Sequence, residues 1–106
     1  MTLQKKIAGG DFAVLVEMNI PKGVDISDLV THVRQLKSRI DAVVIPDMDV
    51  GVMRMSALGG AAVIRQQGLE PVIHIYGRDR NRMAIQGDVL AAQVLGVHNL
   101  LVVQGD

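Results

Sequence analysis

The chain has 106 residues, a formal net charge of zero, 49% hydrophobic residues and no cysteine. That suffices for one domain with one core. It excludes intrinsic disorder, a disulfide or thiolate–metal scaffold, and the strongly basic surface of a nucleic-acid binder.

The N-terminal "MTLQKKIAGGDF" carries two lysines without the apolar stretch of a signal peptide. No run approaches the roughly 20 apolar residues of a membrane span, so the expected location is the cytoplasm. The run "FAVLVEM" (12–18) predicts a first strand with Glu17 near its end. "DISDLVTHVRQLKSRI" (25–40) predicts a helix, with Ile26, Leu29, Val30, Val33, Leu36 and Ile40 on one stripe. Asp25 or Ser27 can cap it by accepting orphan backbone N–H groups. "AVVIP" (42–46) is the second strand, followed by Asp47. "SALGGAAVIRQQG" (56–68) predicts a helix that opens at Ser56 and stops at Gly68, a residue suited to a left-handed cap. Its Gly59-Gly60 pair costs roughly 1 kcal/mol per glycine against alanine, so a close helix–sheet approach is expected there.

"PVIHIY" (71–76) is the third strand, with His74 inside it. The polar loop "YGRDRNR" (76–82) leads into "NRMAIQGDVLAAQVLG" (81–96), a helix whose inner side is expected to hold Ala84, Gly87, Leu90, Ala91, Val94 and Leu95. Gly96 ends it, and "LLVVQ" (100–104) is the fourth strand, leading to Gly105-Asp106. The strand runs are near-continuous, as in strands buried on both faces. Phe12 and Tyr76 are the only aromatic residues, so the core is aliphatic. Strand ends recur about every 29 residues, one βα unit in length. The order β-α-β-α-β-α-β therefore predicts an α/β fold with a parallel sheet over residues 1–106. It is either half of an eight-stranded (β/α)8 TIM barrel or a small doubly wound sheet.

In both architectures chemistry belongs at the carboxyl ends of the strands. A carboxylate as deep in a strand as Glu17 is either a general acid, its pKa raised by burial, or an anion held by an arginine or backbone N–H. His74 has apolar neighbours and reads as a core histidine; no metal partner stands at ligand spacing. His32 and His98 read as structural or surface residues. Arg78, Arg80 and Arg82 precede a helix N-terminus and can attract phosphate or carboxylate, with Asp79 capping the helix or pairing an arginine. The alternative is a self-paired, solvated loop. Asp106 is a helix cap or a ligand contact. The glycines match no dinucleotide or P-loop pattern.

The segments "VEMNIPKGVD", "DAVVIPDM", "RMSALGGA" and above all "EPVIHIYGRDRNRMAIQGDVLAAQVLGVHNLLVVQGD" resemble the 5,10-methylenetetrahydrofolate reductase family, from about Phe12 to Asp106. The resemblance implies a flavin-dependent βα barrel of one-carbon metabolism, of which this chain is the N-terminal half. Glu17 matches the glutamate of the family's "E-F-F-P-P" motif, the general acid. Asp106 matches the aspartate of its "R-G-D" turn, which tunes the flavin. His74 matches a histidine of the flavin site. Gln104 and Gly105 complete the flavin contacts, with Gln104 replacing an arginine. Pro46 replaces a threonine, which removes a hydroxyl near the flavin. FAD is the implied cofactor, NAD(P)H or an electron-transfer partner subunit the donor, and a folate the substrate. A half barrel exposes two sheet edges and an inner face, so a second copy or a complementing C-terminal half is expected. The alternatives are a non-catalytic assembly module and a barrel enzyme that binds a phosphorylated ligand through Arg78, Arg80 and Arg82.

Overall fold

A computed structural model describes residues 3–47, 53–77 and 81–103. In chain order the elements are α1 (Leu3–Ala8), β1 (Leu15–Glu17), α2 (Ser27–Leu36), β2 (Ala42–Ile45), α3 (Ala57–Gln66), β3 (Glu70–Tyr76), α4 (Arg82–Val94) and β4 (Asn99–Val103). The strands form one parallel sheet in the order β1-β2-β3-β4. A doubly wound sheet reverses its strand order at a switch point. These four strands are sequential, with no switch point among the described residues.

Side chains alternate between the faces of a strand, and register aligns them across the sheet. Val43, Ile45 and Ile73 lie on one face and join Leu29 and Val33 of α2, Ala57, Ala61 and Ile64 of α3, and Ala92 of α4 in the main core. The helices between strands thus cover one side. On the other side Ala42, Val44 and Val72 meet Leu3 of α1, with Ala13 beside them. Among the described residues only α1 covers that second face, near the amino ends of the strands.

Burial on both faces holds for the central strands alone. β2 is buried along most of its length, whereas β1 and β4 are largely exposed. An edge strand with one neighbour and no layer over its second face has nothing to bury it.

The cap position of α2 is Ile26, which makes no side-chain cap bond; Asp25, one residue earlier, accepts from the Ser27 N–H at 3.0 Å and from the Ser27 hydroxyl. α3 opens at Ser56, whose Oγ accepts from Gly59 N–H at 3.4 Å. It closes at Gly68, φ 87°, with Leu69 N–H donating to Ile64 O. Leu69 and Ile64 both enter the core, so the left-handed turn also returns the chain to the sheet. Gly96, φ 78°, ends α4 in the same way, linking Val97 N–H to Ala92 O.

α4 departs from its expected orientation. Ala92 is buried and Ile85, Asp88 and Ala91 are half-buried, while Leu90 is 71% and Val94 86% exposed. Apolar residues occur nearly all round this helix, so periodicity does not single out a face; the packing of Ala92 into the main core does.

The N-terminal helix α1 was not expected, being too short to show a periodic stripe. Asp41 anchors it: its carboxylate accepts from Lys6 Nζ and from Val14 N–H at 2.7 Å. The Lys6 hydrogen bond, and then that of Val14, lower the Asp41 pKa from its ordinary value. A carboxylate that stays charged to lower pH in the folded state stabilises it above the ordinary aspartate value of about 3.9. That contribution disappears as pH falls through the depressed folded value. Acidification is therefore expected to release α1 before the sheet unfolds. Amide exchange of α1 measured downward from pH 6 checks this, and Asp41→Asn should show the released behaviour at neutral pH.

Candidate active site

Glu17 is the last residue of β1 and pairs in register with Val44 of β2, which pairs with Val72 of β3. His74 is two residues farther along β3, so Glu17 and His74 project from the same face, the one α2–α4 leave open. Strand spacing and rise put them roughly 12 Å apart. They cannot bond each other, but a ligand lying across the strand ends can touch both.

Glu17 is exposed, not buried as its place in an apolar run suggests. It has no hydrogen-bond or ion-pair partner among the described residues. Neither reading of Glu17 drawn from its depth in the strand is met among the described residues: no arginine or backbone N–H holds the carboxylate, and the burial on which the general-acid reading rested is absent. Its exposure follows from its place: β1 is an edge strand and nothing stands over that end of the face.

His74 is half-buried, and its Nδ1 is shielded from solvent without a hydrogen-bond partner. Leu101 of β4 pairs with it in register. An unbonded, desolvated imidazole nitrogen costs free energy on the order of 1–3 kcal/mol. A simple core histidine would be expected to have a partner for it. On the helix side of the sheet, a cavity near His74 and Asp47 has only about 10 Å³, roughly one water.

Asp47, just past β2, is not a rim group. It is buried at 7% exposure, and its Oδ1 accepts from the first amide of α3, Ala57 N–H, at 3.2 Å. Asp47→Ala is expected to cost about 1 kcal/mol, the usual worth of an N-terminal cap. Urea unfolding measures it, and a shift under a few tenths would exclude the capping role. Pro46 is buried beside it.

Arg82 is exposed at the start of α4. The cap of that helix is Asn81, whose Oδ1 accepts from Ala84 N–H at 2.8 Å, the role considered for Asp79. Arg78, Asp79 and Arg80 lie outside the described residues, as do Gln104, Gly105 and Asp106. Among the described residues no group of three His, Cys, Asp or Glu is placed to hold a metal ion, and no helix is long and apolar enough to cross a membrane. His32 and His98 are exposed.

Sequence reasoning missed the packing just beyond Glu17. Arg54 Nη1 donates to Ile20 O at 3.0 Å, and Met55 N–H donates to Pro21 O at 2.9 Å. Ile20, 2% exposed, sits over Gly60, where an added Cβ would meet its Cγ2 at 2.8 Å. The close approach at the glycine pair is therefore to this loop, not to the sheet. Gly59-Gly60 was the only signal in the sequence; nothing in "VMRMS" marks Arg54. No protein-family model and no curated protein matches the chain.

Proposed function

We propose that the chain forms half of a flavin-dependent βα barrel that reduces 5,10-methylenetetrahydrofolate to 5-methyltetrahydrofolate. The observation that carries this reading is the open sheet face. Glu17 and His74, which the family resemblance assigns to acid catalysis and flavin contact, share that face. Sequential strand order with helices on one side is what half a barrel requires. Strands from a C-terminal half, or from a second copy, would pair the free edges of β1 and β4 and enclose the face.

The residues present fit FAD in one testable respect. The orphaned His74 Nδ1 needs a hydrogen-bond partner, and Val44, Val72 and Leu101 supply apolar surface near it. When bound, the flavin supplies the hydride that reaches the methylene carbon of the folate. His74 would help hold the cofactor in place through its Nδ1. Glu17 delivers a proton to the folate amine nitrogen that leaves the methylene carbon, opening the bridge to a reactive iminium. The family resemblance assigns flavin tuning to Asp106 and further flavin contacts to Gln104 and Gly105. NAD(P)H is the simplest donor, with an electron-transfer subunit as the second option, and the reaction belongs to the cytoplasm.

FAD titration followed by visible absorption tests the reading, on the chain alone and with a C-terminal half added. Weak binding alone and tight binding with the second half are expected, with bleaching by NADH and recolouring by methylenetetrahydrofolate. Absence of FAD binding in both forms would sink the flavoenzyme reading.

A further inference from the structure

We infer that Arg54 is a positioning residue for the rim of the sheet: it clamps the segment that follows Glu17 onto the start of α3. Three contacts converge on that segment. The Arg54 guanidinium donates to the Ile20 carbonyl, Met55 N–H donates to the Pro21 carbonyl, and the Ile20 side chain fills the space left by Gly60. On the strand side, Met18 N–H donates to Val44 O, extending the ladder one residue beyond β1. The chain from Met18 to Pro21 is thus fixed at both ends, and Glu17 lies immediately before it.

A guanidinium suits this place. It reaches a backbone carbonyl with one N–H and keeps its charge at any physiological pH. The crevice beside it, about 230 Å³, is also lined by Asp25 and Asp28, whose carboxylates favour a cation there. Because Arg54 and Met55 precede α3 and Ile20-Pro21 follow β1, the clamp joins the loops at two adjacent strand ends. The Met18–Pro21 and Arg54–Met55 segments then move as one body, and Glu17 keeps its direction relative to β2 and β3. The catalytic meaning of that direction rests on the reductase reading; the clamp does not.

Native-state amide exchange by NMR on the full chain tests it, comparing wild type with Arg54→Ala and Arg54→Lys. In Arg54→Ala the Met55 amide, which reports docking of Pro21, is expected to exchange about tenfold faster or more. The Ile73 and Val44 amides in the sheet should be unchanged. Arg54→Lys, which can still donate to the Ile20 carbonyl, should restore much of the protection. Unchanged Met55 exchange in Arg54→Ala overturns the inference. So does equal acceleration at every amide, which would mean general destabilisation. No flavin is needed, so failure of the reductase reading and failure of this one are separable.

Discussion

Gly60→Ala is expected to destabilise the chain by about 2 kcal/mol, within the usual 1–3 kcal/mol cost of overpacking a filled core. The new Cβ would lie 2.8 Å from Ile20 Cγ2 and 3.1 Å from its Cδ1. Ile20 has little room to yield, because it is 2% exposed and its carbonyl is held by Arg54. Alanine is the better helix former by about 1 kcal/mol, so propensity alone predicts the opposite sign. In a domain of this size each 1 kcal/mol lowers Tm by about 4–8 °C, so thermal denaturation resolves the two cases. Combining Gly60→Ala with Ile20→Ala, which removes both Cγ2 and Cδ1, should cost less than the sum of the two single losses, since contacting residues couple by roughly 0.5–3 kcal/mol. Additive losses in the double variant would show that Ile20 is not what the new methyl meets.

On the proposed reductase reading, Glu17→Gln is expected to lower kcat of the flavin-loaded, completed barrel by about 10²–10⁴-fold, the usual share of a general acid. Glutamine keeps size and hydrogen bonding but has no proton of suitable acidity to give. FAD affinity should be little changed, since the proposed reading assigns flavin contact to His74 and not to Glu17. Two assays check this: stopped-flow oxidation of the reduced flavin by methylenetetrahydrofolate, and reduction of the oxidised flavin by NADH. Only the first should slow. Equal slowing of both would place Glu17 in flavin binding, and no slowing would remove it from catalysis. Because Glu17 is exposed and unpartnered, the substitution should leave folding unchanged.

Much of the fold can be read along the chain. The runs at 42–46 and 71–76 are apolar enough that only a sheet core accommodates them, and both become strands. The stripe through Leu29 and Val33 faces the core as its spacing requires, and Gly68 and Gly96 turn left-handed where the helical patterns stop. These features depend on local dihedral preference and on burial per residue, which neighbouring residues specify. Tertiary structure alone decided the rest. The exposure of β1 and β4 depends on what lies beyond each edge, which no property of Val16 or Leu101 encodes. The facing of α4 was fixed by Ala92 entering the main core, which apolar residues nearly all round the helix do not foretell. Glu17 and His74 come to share a face through a register that spans three strands. Arg54 meets the Ile20 carbonyl across 34 residues of chain, a contact fixed by how two loops pack and not by the character of either segment.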